Sequence, residues 1–140
     1  MSADALANSI YALAVTDNTF NSAIGGSGIT AGRFLPEGFL IDDVPTKPYA
    51  TYRIITIAGE DKFRTSLERA LVQVKVYSDS VDPSEADQMV KKAFDLFHKK
   101  ALTVTGFTGV KLFRESIVPA YREADFWTSV IDFRTLIQEN

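Results

Sequence analysis

The chain has 140 residues, 46% of them hydrophobic and 24% charged, with a formal net charge of −3 and a pI near 5.1. That is the size and balance of one globular domain, 1–140, with a core of its own; it excludes a disordered tail, a collagen-like rod and a low-complexity scaffold. With no cysteine and a single histidine, His98, disulfides, thiolate zinc sites, cysteine nucleophiles and multi-histidine metal sites fall away, and the mild acidity offers no basic footprint for gripping nucleic acid.

The N-terminal stretch reads as a helix. Leu6, Ile10, Leu13 and Ala14 recur at the spacing of one helical face. Asp4 suits the positive end of the helix dipole. Asp4, Asn8 and Ser9 interrupt the apolar residues and no basic stretch precedes them, so synthesis in the cytoplasm without a leader is expected. No apolar run approaches the roughly 20 residues of a membrane span. Thr16-Asp17 offers a second cap, and Phe20, Ala23 and Ile24 suit a short helical continuation. Gly25-Gly26-Ser27-Gly28 then ends it.

Residues 33–48 predict one short strand or extended arm. Phe34-Leu35 precede Pro36, Phe39-Leu40-Ile41 form an apolar burst, and Asp42 to Pro48 is rich in turn formers. From Tyr49 to Ala58 the β-branched and aromatic content predicts a strand. Gly59-Glu60-Asp61-Lys62 reads as a polar turn. Leu67 to Ser78 alternates, with Ala70, Val72, Val74 and Val76 on one side and Gln73 and Lys75 on the other. The two runs predict a β-hairpin.

Asp82-Pro83-Ser84-Glu85 opens the next helix. Asp82 is placed to cap it, Pro83 to occupy its first position, and Glu85 to reach back as in a capping box. Ala86, Met89, Val90, Ala93, Phe94 and Phe97 give it one apolar face. Thr103 to Thr108, with a Gly106 turn, leads into a strand at Val110 to Val118. Pro119 to Asp125 reads as a polar connection and Phe126 to Ile137 as the last strand. The fold class is α+β: an antiparallel sheet of about four strands, an N-terminal helix, and one amphipathic helix packed on the sheet.

Few motifs point to chemistry. Gly26-Ser27-Gly28-Ile29-Thr30-Ala31 fits a dinucleotide pattern as text, but it lacks the strand before and the helix after that make the pattern work. His98, one turn after Asp95, has no second histidine or cysteine for a metal and reads as a partly exposed side chain at the helix C-terminal carbonyls. Asp42-Asp43, Glu60-Asp61 and Glu123 with Asp125 lie in expected loops, without a nucleophile or base beside them. Lys91, Lys92, Lys99 and Lys100 read as a solvated helix face. No catalytic residue, cofactor or metal is expected. Tyr121, Phe63 and Phe39, as loop aromatics, are better candidates for an interface.

In order, these features resemble the tail completion, or tail terminator, proteins of long-tailed phages. The resemblance runs over about residues 5–137. It rests on the apolar helix Ala5 to Val15, the glycine-rich loop and the short strand Arg33-Phe34-Leu35-Pro36. It continues through Lys47-Pro48-Tyr49-Ala50-Thr51-Tyr52 at the start of the first long strand and Val76-Tyr77-Ser78 at the end of the alternating one. The helix from Pro83 to Phe97 and the closing strand Trp127 to Thr135 complete it. It implies a structural virion protein at the head-proximal end of the tail, forming a six-subunit ring on the tail tube. The ring stops tube polymerisation and presents a docking surface to the head completion or connector protein, with DNA passing through the lumen without specific binding. Such a ring is closed, heterologous assembly, and six copies would carry −18, which disfavours sticking to phosphate. No membrane partner is implied. Expected contacts are the hairpin tip, Glu60, Asp61, Lys62, Phe63 and Arg64, and the loop at Phe39, Asp42 and Asp43. Two rival readings are a head-completion or connector ring and a small ligand-binding α+β domain, in which Asp132, near Arg134, would be the strand-borne base.

Overall fold

The computed structural model describes residues 3–16, 34–36, 48–62, 65–104 and 107–139. Helix α1 is Ala3–Val15, followed by the short strand β1, Phe34–Pro36. The long hairpin β2 (Tyr49–Lys62) and β3 (Thr65–Ser78) leads to helix α2, Ser84–Phe97. Strands β4 (Phe107–Glu123) and β5 (Phe126–Glu139) close the chain. One sheet holds all the strands in the order β1-β2-β3-β5-β4. Its four long strands are antiparallel, as the patterning predicts, and β1 adds a three-residue parallel pairing, Phe34–Pro36 against Ala50–Tyr52.

Alternation in β3 decides the faces. Val72, Val74 and Val76 are fully buried, and opposite them on β5 lie Phe133, Ile131 and Ser129. Both helices cover this face, and their apolar stripes join one core. Leu6, Ile10 and Ala14 come from α1; Ala86, Met89, Val90, Ala93, Leu96 and Phe97 come from α2. A chain of aromatic rings crosses that core. Phe34 stacks on Tyr52 at 4.6 Å and lies 6.3 Å from Phe97, which meets Phe133 edge-on at 5.7 Å. Contacts of this kind add about 0.5–1.5 kcal/mol each to the burial itself.

Several local expectations are corrected. Gly59 to Lys62 is not a turn: these residues continue β2, pairing Gly59 with Glu68 and Lys62 with Thr65. Pro119 to Asp125 is not a connection either. Strand β4 runs on to Glu123, and only Ala124 and Asp125 turn the chain. Proline is tolerated there because β4 is the sheet's edge and a register shift falls between Val118 and Tyr121. The capping box does not form. Asp82 Oδ1 accepts from the Ser84 N–H at 3.0 Å and from its hydroxyl at 2.5 Å, an Asx-type turn. Glu85 instead accepts from the Ser78 hydroxyl at 2.6 Å, tying α2 to the end of β3. At the end of α1 the Thr16 hydroxyl donates to the Leu13 carbonyl at 2.9 Å. The continuation at Phe20 to Ile24, the Gly26–Ala31 pattern, the Phe39–Ile41 burst and the Gly106 turn lie outside the described residues.

Candidate interaction site

Of the residues expected to make contacts, Glu60, Asp61 and Lys62 lie in the last ladder positions of β2, opposite Leu67, Ser66 and Thr65. They are strand residues at the end of the hairpin, next to the two-residue link 63–64. Phe63 and Arg64, and likewise Phe39, Asp42 and Asp43, lie outside the described residues.

The free edge of the sheet carries a surface that local patterning missed. Strand β4 presents Ile117, Val118 and Tyr121, each exposed by 38–43%, within the run 114–119 that is exposed throughout. Tyr121 is exposed as expected of an interface aromatic, but it sits on a strand and not in a loop. Reading Val110 to Val118 as an ordinary strand conceals this run, because sequence does not say which strand lies at the edge.

Four contacts guard that edge. After α2 the chain returns along β4: the Lys99 N–H donates to the Leu112 carbonyl at 2.6 Å and the Leu102 N–H to the Val110 carbonyl at 2.8 Å. Beyond this, His98 Nδ1 accepts from the Arg114 N–H at 3.1 Å, and Asp87 Oδ1 accepts from the Ala120 N–H at 3.1 Å. Accepting at Nδ1 leaves the ring proton of neutral His98 on Nε2. Its ring also stacks on Phe94 at 4.6 Å. So His98 serves β4 rather than the helix carbonyls. Side chains at two positions and Pro119, which has no N–H, occupy donors that another strand would use, the usual protection of a sheet edge.

Between α2 and β4 lies an open groove of about 200 Å³, lined by Asp87, Val90, Lys91, Phe94, Arg114 and Ile117. Val90, Phe94 and Ile117 make its floor apolar. Arg114 lies over the Phe94 ring, 5.6 Å from its centroid, and Lys91 is exposed on α2. Asp87 accepts from the β4 backbone and keeps its negative charge, so the rim carries two cations and one carboxylate.

The opposite face of the sheet is more polar and already paired. Lys75 lies 3.7 Å from Glu123 and over the Tyr77 ring, and Tyr77 stacks on Tyr49 at 4.6 Å. Burial alone would lower the Lys75 ammonium, but Tyr77, Glu123 and Tyr121 outweigh it and hold it above its ordinary value. Burial, then Tyr77, pushes the Tyr49 phenol up. Asp132 Oδ2 accepts from the Ser116 hydroxyl at 3.1 Å, while Arg134 turns to Glu115 at 3.1 Å. Among the described residues the Ser116 hydroxyl is the partner of Asp132 Oδ2, and Asp132 Oδ1 is buried without a hydrogen-bond partner. The described residues hold no group of three or more potential metal ligands, and no helix long and apolar enough to cross a membrane.

No family model matches the chain, and no curated protein matches it. Solved structures do. A chain described as the virion of a native gene transfer agent particle aligns over 97% of this chain and 96% of its own length, with a TM-score of 0.77 and 15% identity. The two chains share their whole fold.

Proposed function

We propose that this protein is a structural virion component of a phage-like particle: a ring, six copies in the tail-terminator arrangement, that caps the tail tube, ends its polymerisation and offers the docking surface for the head connector. The observation that carries the proposal is the end-to-end fold match with a chain of a gene transfer agent virion. The molecule's surfaces support it. Its two sheet edges differ: the three-residue strand β1 bounds one side, and the guarded, partly apolar β4 bounds the other. A subunit with two unlike edges suits head-to-tail contact, and a head-to-tail contact that closes makes a ring. The function is then the interface itself, and it asks for no catalysis.

Adding purified protein to tail tubes polymerising in vitro tests this. Capping predicts that tubes stop growing and carry density at one end by electron microscopy. Tubes that lengthen unchanged and stay bare at both ends would contradict it.

A further inference from the structure

We infer that the exposed turn between β3 and α2, which carries Val81, docks into the groove between α2 and β4 of the neighbouring copy. The inference rests on the ring reading and names the contact that would hold the ring together.

The turn is built to present one apolar side chain. Val81 is 94% exposed, in a place where turns ordinarily carry glycine or polar residues. Hydrogen bonds tie down the chain on both sides of it. The Ser78 hydroxyl accepts from the Ser80 N–H at 3.2 Å and donates to Glu85 at 2.6 Å, and Asp82 accepts from Ser84. Val81 is therefore held outward before any partner arrives, and docking it costs little ordering. Its own subunit buries almost none of it, so a surface that covers it must come from elsewhere.

The groove is the complement of that turn. Its floor, Val90, Phe94 and Ile117, is apolar, and its rim carries Lys91, Arg114 and Asp87. Neither cation has a carboxylate partner among the described residues. The turn sets exposed Asp79 and Asp82 on either side of Val81, so an apolar side chain between two carboxylates meets an apolar floor between two cations. Asp125 strengthens the match: Ser78 pairs with Trp127, which brings the β4–β5 turn to the same end of the sheet. Of the cations at that end, Lys75 is held by Glu123 and Arg122 lies over the Trp127 ring. Opposite charges set register and reject like-charged surfaces, while Val81 supplies the burial. The two patches are also unlike and apart on one subunit. The turn stands where β3 ends, ahead of α2; the groove follows the flank of α2 from Asp87 to Phe94, about 10 Å of helix, against the outermost strand. Contact between unlike patches is head-to-tail, as a ring requires. With the Arg114 and Ala120 N–H groups taken by His98 and Asp87, the incoming turn finds the groove open and the strand edge closed.

The chain has no cysteine, so a pair of introduced thiols reports the contact. When V81C/I117C assembled on tail tubes is treated with a short bis-maleimide, each turn is expected to link to the next subunit's groove. The product is a ladder of covalent species up to the full ring, whereas V81C and I117C singly are expected to stay monomeric. Val81→Lys sets a cation against the Lys91 and Arg114 rim. It is expected to lower ring formation at least about tenfold, while its monomer unfolds at the wild-type temperature, and Val81→Ile is expected to keep the rings. Rings on tubes without the ladder, or undiminished rings from Val81→Lys, would overturn this docking and leave the ring standing. A ladder that stops at two subunits would make the contact a closed pair and overturn its place in the ring. Wild-type protein that forms no ring on tubes would overturn the ring reading itself, and this inference with it.

Discussion

Asp82 sits where the chain leaves β3 and turns into α2, and its carboxylate organises that turn. The Ser84 hydroxyl, and then the Ser84 N–H, hold it below its ordinary value of 3.8. A carboxyl lowered in the folded state stabilises the fold fully above its unfolded value, and that contribution is lost as pH falls through the lower, native one. The affected window therefore lies below about pH 3.8. Replacing Ser84 with alanine removes the larger of the two causes. The Asp82 pKa followed by NMR is then expected to rise toward 3.8. A titration identical to wild type would show that the hydroxyl does not set it. Residue chemistry was partly legible here: Asp82-Pro83-Ser84 marks a helix start from sequence alone. The partner of Glu85 was not, because Ser78 ends β3 and the way the chain folds from β3 into α2, not the capping-box spacing, brings its hydroxyl to the carboxylate.

At the scale of elements, periodicity did the most. The helical spacing of Ala86, Met89, Val90, Ala93 and Phe97 and the alternation of Val72, Val74 and Val76 are the buried faces of α2 and β3. Exposure of 0% for Phe97 and of 94% for Val81 makes opposite predictions for truncation. Phe97→Ala opens a cavity among Phe34, Phe133 and the valines of β3 and is expected to cost about 3–5 kcal/mol. Val81→Ala, on the exposed turn before α2, is expected to stay within about 0.5 kcal/mol. Urea unfolding of the pair checks both, and equal losses would mean that Phe97 is not a core residue. Element lengths were less legible. Polar residues at Gly59 to Lys62 and Pro119 to Asp125 read locally as turns. In the sheet Gly59 to Lys62 and Tyr121 to Glu123 are ladder positions, because backbone pairing with Thr65 to Glu68 and with Phe126 to Thr128 satisfies the same groups. Local polarity cannot distinguish a turn from an edge or arm whose partner lies elsewhere in sequence.

For the whole molecule, the order of elements and the α+β class were readable, and the distribution of surfaces was not. The edge position of β4, and with it the exposure of Ile117, Val118 and Tyr121, follows from the strand order β1-β2-β3-β5-β4, which no local pattern encodes. The candidate contacts divide in the same way. Glu60, Asp61 and Lys62 are singled out by their polarity and lie in the last ladder positions before residues 63–64, whereas the α2–β4 groove is assembled from residues 87–94 and 114–117 and exists only in the folded chain. The central claim concerns what this fold does in a particle, and deletion of the gene followed by electron microscopy of the particles produced tests it most directly. Tube capping predicts overlong or ragged tails beside separate, DNA-filled heads. Tails of normal length that fail to join heads would assign the protein to the connector instead, and intact particles would contradict the account.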